Sequence, residues 1–329
     1  MLSSPLHLAP MMDWSDRHWR AFVRLITPGA VLYTEMVTTG ALLHGDAERH
    51  LRFDASEHPV VLQLGGSEPG DLARAARLGE AQGYNAINLN CGCPSDRVQR
   101  GRFGACLMKE PELVAGCVRA MRDAVSVPVT VKCRLGVDDH DSYGELVRFI
   151  DTVAGSGCAT FIVHARKAWL QGLSPKENRE IPPLDYDRVV RLKAERSDLE
   201  VIVNGGIARA DQAAGLMDRG LDGVMIGRAA YQDPWCLTAM EGALLAAPTP
   251  ADDRHAVLAA YLPYIESALQ DGVPLKAITR HVLGLFNGLP GARRWRQILS
   301  EQAHRPGAGP ELLLQAACAV GEPSAARAA

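Results

Sequence analysis

Short apolar runs of strand length alternate along most of the chain with longer segments in which apolar residues recur at helical spacing. The strand-like runs lie at 6–9, 31–36, 60–64, 86–90, 127–133, 160–164, 201–204 and 223–226. The segments between them, among them 71–82, 111–124, 142–154 and 211–219, are long enough for right-handed crossovers between parallel strands. Eight alternating units over ~230 residues predict an α/β fold of the (β/α)8 type, a TIM barrel.

A doubly wound parallel sheet is the alternative α/β architecture. Such a sheet usually carries a glycine-rich dinucleotide-binding turn after its first strand. Here the first strand is followed by Pro10, Met11, Met12 and Asp13, which include no glycine. The barrel is therefore favoured, and we expect no separate dinucleotide-binding domain.

The strand pattern stops near Ala247. Beyond it, 255–269, 275–286 and 294–303 have the spacing of amphipathic helices, and 305–329 is rich in Ala, Pro and Gly. We therefore predict a catalytic barrel domain at 1–247 and a small C-terminal all-α helical domain at 248–305. The remaining stretch, 306–329, is predicted to hold one helix at 311–320 and a frayed tail.

Composition indicates an ordinary globular protein. The 329 residues, 47% of them hydrophobic, suffice for a large core. No apolar run approaches the roughly 20 residues that span a bilayer, and the first residues do not resemble a signal peptide. We expect a cytoplasmic protein with no membrane contact and no obligate protein partner. Eight cysteines without paired CxxC spacing favour reduced thiols and no structural metal.

The net charge of −3 gives no global sign of nucleic-acid binding. Locally, however, 276–305 holds six Lys or Arg and one acidic residue. Within it, Arg293, Arg294 and Arg296 surround Trp295, a combination of cations and an aromatic ring that suits RNA. A solvated helix face explains the same charges equally well, so the residues alone leave both interpretations open.

Polar residues and glycines follow most of the predicted strands, and in a barrel these positions converge on one mouth. They include Glu35, Gln63, Asn90, Lys132, Arg134, His164, Arg166, Asn204 and Arg228. The glycine loops at 204–207 and 226–229, each followed by a helix and the second assisted by Arg228, are typical of a phosphate site. Met11 and Met12, the amide of Gln63 and the cation of Lys132 suit a flavin ring, which gains negative charge on reduction.

The stretch 85–108, NAINLNCGCPSDRVQRGRFGACLM, leads from a strand directly into a loop that contains Cys91, Cys93 and Cys106. A single cysteine in a loop is more often a small packing residue. A thiol at the carboxyl end of a parallel strand is well placed for chemistry, and this makes Cys93 the candidate. Alternation along an extended strand end would put Cys91 and Cys93 on one face, so spacing does not separate them.

Longer motifs carry a resemblance to a known family. They are APMMDWSDRHWR, TEM, NCGCPSDRVQRGRFGACLM, KCRLGVDD, HARKAWLQGLSPKENREIPPLDY, NGGI, MIGRAAY and HVLGLFNGLPGARRWRQILSE. In these motifs the chain resembles the tRNA-dihydrouridine synthases over about residues 5–305, and most of all the bacterial group that reduces uridines 20 and 20a in the D-loop.

The resemblance implies FMN as the cofactor, NADPH or NADH as its transient reductant, and tRNA as the substrate. The FMN-binding residues that it implies are Pro10, Met11, Met12, Gln63, Lys132, His164, Asn204, Gly205, Gly206, Gly227 and Arg228. It also implies that Cys93, in the Gly-Cys-Pro-Ser string, is the proton donor. The implied tRNA-binding residues are Asn90, Lys176, Arg179, Arg293 and Arg296.

The implied chemistry is the saturation of the C5–C6 bond of uridine. Hydride from the reduced flavin goes to C6, and Cys93 gives a proton to C5 from the opposite face. The target uridine has to leave the base stack of the folded tRNA to reach a barrel mouth. With no second dinucleotide-binding domain, the nicotinamide cofactor is expected to leave before the tRNA enters.

Two other functions share part of this pattern. A small-molecule flavin oxidoreductase of the dihydroorotate dehydrogenase type would have the barrel, the FMN and a strand-end cysteine, but it would not require a basic helical domain. A tRNA-binding chaperone without catalytic activity would keep the basic stretch, but it would not require Cys93, Lys132 and His164.

Overall fold

The computed structural model describes residues 4–246 and 248–321. Its strands are β1 Leu6–Leu8, β2 Leu32–Thr38, β3 Val60–Gly65, β4 Ala86–Asn90, β5 Val129–Arg134, β6 Thr160–His164, β7 Glu200–Asn204 and β8 Gly223–Ile226. They form one parallel sheet in the order β1-β8-β7-β6-β5-β4-β3-β2, and a parallel bridge from His7 to Val31 brings β1 against the chain just before β2. The predicted TIM barrel is confirmed. Position 247, where the predicted domain boundary falls, and the predicted tail beyond 321 lie outside the described residues.

Helices follow the strands, and most of them cover the outside of the barrel. They are α1 Arg17–Arg24, α2 Thr39–His44, α3 Ala47–Leu51, α4 Pro69–Gln82, α5 Asp96–Arg100, α6 Pro111–Arg122, α7 Tyr143–Ala154, α8 Tyr186–Glu195, α9 Ala210–Met217, α10 Arg228–Gln232 and α11 Cys236–Leu244. Short 3-10 helices lie at Ala55–Glu57, Gly104–Lys109 and Glu177–Arg179. Local sequence sets several of the starts. Pro69 and Pro111 stand in first turns, where a missing N–H costs nothing, and Ser142 with Glu145 forms a capping box before α7.

Side chains alternate between the inside and the outside of the barrel, as the period of a strand requires, except at an irregularity in β2 between Tyr33 and Met36. In β4, Ile87 and Leu89 join the large core between sheet and helices, whereas Ala86 belongs to a separate apolar cluster inside the barrel. Asn88 and Asn90 share the inward face with Ala86 and are also buried. The interior is therefore apolar toward the amino ends of the strands and polar toward their carboxyl ends.

A group of helices follows the barrel. They are α12 Arg254–Gln270, α13 Leu275–Thr279, α14 Ala292–Gln302 and α15 Glu311–Ala317. Leu312, Leu313 and Ala316 of α15 are buried, and this helix packs against α12 and α14. The helix predicted for the final stretch is thus part of the same packed group. Among residues 4–246 and 248–321, no helix is long and apolar enough to cross a membrane.

The predicted helix at 275–286 is wrong in its second half. The helix ends at Thr279, and the chain continues to Leu289 in successive turns closed by bonds such as Val282 N–H to the Thr279 carbonyl, at 3.2 Å. A Cβ atom on Gly284 would lie 2.6 Å from the carbonyl oxygen of Gln232, on the barrel. The turns therefore lie directly on the barrel main chain, a tertiary contact that helical periodicity does not reveal.

Asp16 joins the barrel to the helical region. Its Oδ1 accepts hydrogen bonds from the N–H groups of His18 and Trp19 at the start of α1, both at 3.0 Å. Its Oδ2 accepts a 2.8 Å bond from Arg280 and lies 2.9 Å from Nε2 of His281. Burial alone would raise the pKa of Asp16, but its contacts with His281, Trp19 and Arg280 hold the pKa well below the usual range. A charged carboxylate thus fixes the helical region against α1.

We expect Asp16→Asn to lower the free energy of unfolding by roughly 2 kcal/mol at pH 7. An amide that keeps its oxygen on the α1 cap turns its NH2 group toward Arg280, which is itself a donor, and removes the negative charge that faces Arg280 and His281. Urea denaturation measures the change.

Asp46→Asn is the matched control, since Asp46 also caps a helix, α3.

Because the pKa of Asp16 is depressed in the folded protein, its contribution to the free energy of unfolding is present above the unfolded value of 3.8 and is lost as the pH falls below it. A difference between wild type and Asp16→Asn that stays unchanged well below pH 3.8 would contradict this account.

Candidate active site

A cavity of about 1420 Å³ opens at the carboxyl ends of the barrel strands. All the residues predicted to bind the cofactor line it: Pro10, Met11, Met12, Gln63, Lys132, His164, Asn204, Gly205, Gly206, Gly227 and Arg228. So do Asn90, Cys93 and Arg179. Of the other predicted tRNA-binding residues, Lys176, Arg293 and Arg296 lie outside the cavity on exposed surface. The structure therefore gathers one set of predicted residues in a single space and leaves the other beyond its rim.

A chain of buried amides forms part of the cavity wall. Asn90 Nδ2 donates to Gln63 Oε1 at 2.9 Å, and Gln63 Nε2 donates to Asn88 Oδ1 at 2.7 Å. Asn88 Nδ2 in turn donates to Thr130 Oγ1 at 2.9 Å. Buried polar groups need such partners, and each bond fixes which end of an amide is the donor. The orientation of Gln63 and Asn90 is thus set from below, along β3, β4 and β5.

Basic side chains crowd the next part of the wall, where Lys132 on β5 pairs in register with Asn90 on β4. Lys132 Nζ donates to Asn204 Oδ1 at 2.9 Å, and Asn204 Nδ2 donates to the Met225 carbonyl at 2.8 Å. Burial, together with the nearby charge of Arg134, lowers the pKa of Lys132 to about 7. Burial and the same neighbouring cations lower the pKa of His164 well below its ordinary value, so its imidazole is neutral at pH 7. Such a wall favours a bound anion, which would offset the repulsion between the cations.

The glycine loop after β7 has a conformation that ordinary side chains rarely adopt. Gly205 and Gly206 have φ angles of +117° and +67°. A Cβ atom on Gly205 would lie 2.7 Å from Cδ2 of His164. The hydroxyl of Tyr186 donates to the Gly205 carbonyl and so holds that oxygen away from the cavity. The loop main chain can therefore approach a ligand closely.

Arg228 stands at the start of α10, beside this loop. The first N–H groups of a helix have no partner within the helix, so they are available to an anion. Arg228 also donates to the Glu180 carboxylate at 2.6 Å and to the Arg179 carbonyl at 3.1 Å. These bonds hold the guanidinium at the cavity rim and connect β8 to the loop that carries Arg179.

The two neighbouring cysteines face different environments, contrary to the expectation from alternation. Cys91 is fully buried in the core outside the barrel, and burial raises the pKa of its thiol well above the ordinary value. Cys93 is partly exposed and lines the cavity. The chain turns between them because Asn90 Oδ1 accepts hydrogen bonds from the N–H groups of Gly92 and Cys93, at 3.1 and 3.0 Å. This turn brings the loop back over the mouth of the barrel.

Arg134 is a cavity residue to which the sequence assigned no role. It is 3% exposed and lies at the end of β5. Thr130, Lys132 and Arg134 alternate along that strand, and all three point into the barrel or its mouth. Its place after a predicted strand put it at the mouth as a strand-end residue, and the period of two is the signal for that position.

Glu35 is a second cavity residue without an assigned role. Its carboxylate accepts a hydrogen bond from the Asp13 N–H, next to the turn that holds Met11 and Met12. Burial raises its pKa above the ordinary value. It therefore supports the main chain of the first loop of the cavity.

The basic stretch on α14 is not the cation and aromatic surface that the sequence suggested. Arg293 and Arg296 are exposed on one side of the helix. Trp295, however, is fully buried, packs edge to face against Phe286, and donates its indole N–H to the Val282 carbonyl at 3.3 Å. Only the cations remain available to RNA, because the tryptophan is needed in the helical core.

Comparison with known proteins relates this chain to a family. A model of the family described as dihydrouridine synthase matches residues 7–320. A tRNA-dihydrouridine(20/20a) synthase of Xanthomonas campestris is 60% identical over 311 residues, which are 94% of this chain and 92% of the relative. The protein of the same name from Shewanella oneidensis is 58% identical, covering 95% of this chain and 92% of the relative. That of Escherichia coli K12 is 57% identical, covering 93% and 88%.

We expect the amine of Lys132 to titrate with a midpoint of about 7 in the ligand-free protein. Burial disfavours the ammonium, so the amine reacts with acetic anhydride at a pH where an ordinary lysine does not. The measurement is the acetylation rate of the Lys132 peptide by mass spectrometry over a pH series.

The same peptide in urea is the reference, with a midpoint at the ordinary 10.5. Because the unfolded chain binds this proton more tightly, the contribution of Lys132 to stability should rise with pH between about 7 and 10.5. A folded midpoint near 10.5 would contradict the burial argument.

Proposed function

The chain belongs to the dihydrouridine synthase family, and from that premise we propose that it reduces the C5–C6 bond of uridine to 5,6-dihydrouridine in the D-loop of tRNA. We further propose positions 20 and 20a as its targets, which the names of its relatives support. The single observation that carries the reaction is the thiol of Cys93 at the rim of a cavity walled by amides and cations. We propose that the protein is located in the cytoplasm.

FMN is the proposed cofactor, and the residues present fit it. Gly205 and Gly206 leave room for a phosphate beside the first turn of α10 and Arg228. The oriented amide of Gln63 and the cation of Lys132 suit the polar edge and the N1 region of the ring. The proposed FMN-binding residues are Pro10, Met11, Met12, Gln63, Lys132, His164, Asn204, Gly205, Gly206, Gly227 and Arg228. When bound and reduced by NADPH or NADH, FMN supplies the hydride that adds to C6 of uracil.

Lys132 is proposed to gain its proton when an anion binds. A negative charge nearby favours the charged form of an amine and opposes the effect of burial. The ammonium so formed still donates to Asn204, and its other hydrogens are available to the anion or to a uracil carbonyl. Because burial disfavours the ammonium form of Lys132 and a bound anion favours it, the site would bind an anionic ligand in preference to a neutral one.

Cys93 is proposed to donate the proton to C5 from the face opposite the hydride. Hydride at C6 and proton at C5 together saturate the bond and leave the thiolate, which solvent reprotonates. Asn90 has one free position for the base, since one of its N–H groups and both lone pairs of its oxygen are already used by Gln63, Gly92 and Cys93. Its remaining N–H can donate to a uracil carbonyl. One amide would thus position both the proton donor and the substrate.

The tRNA is proposed to lie across the rim of the cavity and the helical region. Arg179 lines the cavity, Lys176 lies on the same loop, and Arg293 and Arg296 present exposed cations on α14. These charges suit the phosphates on either side of an extruded uridine. A small-molecule reductase would have no use for the last pair, which favours tRNA over the dihydroorotate dehydrogenase type. A chaperone without catalysis would have no use for the oriented amides and Cys93.

We expect the purified protein with FMN and NADPH to form dihydrouridine at positions 20 and 20a of an unmodified tRNA transcript. Mass spectrometry of nuclease fragments identifies the positions. Cys93→Ala should slow product formation by about 100- to 10,000-fold, the usual contribution of a general acid, while NADPH still reduces the flavin. Cys91→Ala is the matched control, because that thiol faces the core and should leave the chemistry intact.

The outcomes separate the parts of the proposal. An inactive Cys91→Ala beside an active Cys93→Ala would reverse the assignment of the proton donor. Dihydrouridine elsewhere in the D-loop would keep the reaction and contradict the positions. A wild-type protein that forms none in any tRNA would contradict the function and favour the small-molecule reductase.

The double variant Arg293→Ala/Arg296→Ala should bind tRNA more weakly and with a flatter dependence on salt. Each lost phosphate contact lowers the slope of log K against log salt concentration by about one. Filter binding between low and physiological salt measures the slope. Arg77→Ala/Arg119→Ala, which removes two exposed cations from α4 and α6, is the control and should leave it unchanged. An unaltered slope for the first pair would remove α14 from the interface.

A further inference from the structure

Arg134 is a buried cation, and the hydrogen bonds of its guanidinium in the described part of the chain all go to main-chain carbonyls. Its Nε donates to the Gly92 carbonyl at 2.9 Å. Its Nη1 donates to the carbonyls of Lys167 and Asn178, both at 3.0 Å. Burial lowers the pKa of the guanidinium to about 10, with the charge of Arg179 adding to the effect, so it is still charged at neutral pH. A rigid fork of donors thus joins two loops of the cavity.

The peptide unit between Gly92 and Cys93 is held at both ends. Its carbonyl accepts from Arg134, and its N–H, on Cys93, donates to Asn90 Oδ1 at 3.0 Å. The Cys93 carbonyl also accepts from the Ala105 N–H at 2.9 Å. With the main chain fixed on both sides, rotation about the Cα–Cβ bond is the main freedom left to the thiol. Its approach to the cavity is therefore set by these bonds.

The second loop that Arg134 reaches is itself rigid. Asn178 is fully buried, accepts from the Trp169 N–H at 2.8 Å, and donates to the carbonyls of Trp169 and Leu173 at 2.8 and 3.1 Å. Arg179, the next residue, lines the cavity. Arg134 thus links this ordered loop to the main chain that carries Cys93, and Gln99 makes a second link by donating to the carbonyls of Pro94 and Leu170 at 2.9 and 2.6 Å.

We infer that Arg134 is a positioning residue for the proton transfer, an inference that rests on the proposed function. It fixes the Gly92–Cys93 peptide so that the thiol faces the substrate, and it ties that peptide to the loop of Arg179. In this role it acts through Cys93 and touches no reacting atom. A displacement of about 1 Å in such a group can cost about 100-fold in rate.

The test is Arg134→Lys, with Arg134→Gln as a second variant in case the first does not fold. Lysine keeps the charge but not the fork, so it cannot serve Gly92 and the second loop together. On enzyme reduced beforehand, single-turnover formation of dihydrouridine should fall about 10- to 100-fold. Flavin reduction by NADPH and the Kd for tRNA should stay within about twofold. The rate at which iodoacetamide alkylates Cys93, followed by peptide mass spectrometry, should change severalfold.

Arg24→Lys is the matched control. Arg24 is also buried and donates to main-chain carbonyls, those of Pro28 and Ala30 at 2.7 Å, but it lies away from the cavity. This variant should lose stability and leave both the turnover and the alkylation rate unchanged.

The controls keep the inference distinct from the proposed function. A wild-type protein that makes no dihydrouridine would overturn the function itself. An active wild type with equally active Arg134 variants would overturn the inference alone. So would variants whose loss lies in flavin reduction or in tRNA affinity, because Arg134 would then act on binding and not on the position of Cys93.

Discussion

A closed barrel offers little water to polar side chains that point inward, so most of them have to find a partner in the protein. The site depends on this constraint. Asn88, placed below the cavity, never meets a ligand, yet its bonds to Gln63 and Thr130 determine which way the amides above it face. Asn90 extends the same chain of bonds into the loop after β4. The geometry around Cys93 is thus continuous with the packing of the barrel interior.

The cations at the mouth of the barrel differ from the amides, because their hydrogen bonds are satisfied but their charge is not neutralised. Lys132 and Arg134 lie close together at the mouth, and their recorded partners are an amide and three main-chain carbonyls. Neutral acceptors satisfy their N–H groups but not their charge. The ligand-free cavity therefore keeps an excess of positive potential, and a phosphate or a reduced ring relieves it. Selectivity for anions is built into the strand ends and does not need a net positive protein.

Much of the architecture follows from the sequence, because a strand buried on both faces leaves a short apolar run and each crossover helix leaves a longer periodic one. The runs at 86–90, 160–164 and 223–226 agree with the strands residue for residue. The mouth of the barrel follows too, since it is defined by chain direction alone. The sequence does not predict that Cys91 is buried in the core while Cys93 lines the cavity. That difference depends on the Asn90 side chain, which accepts hydrogen bonds from the Gly92 and Cys93 N–H groups and bends the chain.

Other features depend on contacts distant in sequence. The arginines around Trp295 suggest an exposed aromatic ring, but Trp295 is buried in the helical core. The segment after Thr279 has helical periodicity, but its contact with the barrel main chain favours turns. The two carboxylate oxygens of Asp16 make contacts of this kind, and these contacts join the helical region to the barrel. One oxygen caps α1 and the other holds the helical region, so that region cannot swing without disturbing the helix that follows the first cavity loop. The surface between the cavity rim and the helical region is consequently preformed, and in the proposed complex the conformational cost would fall on the RNA.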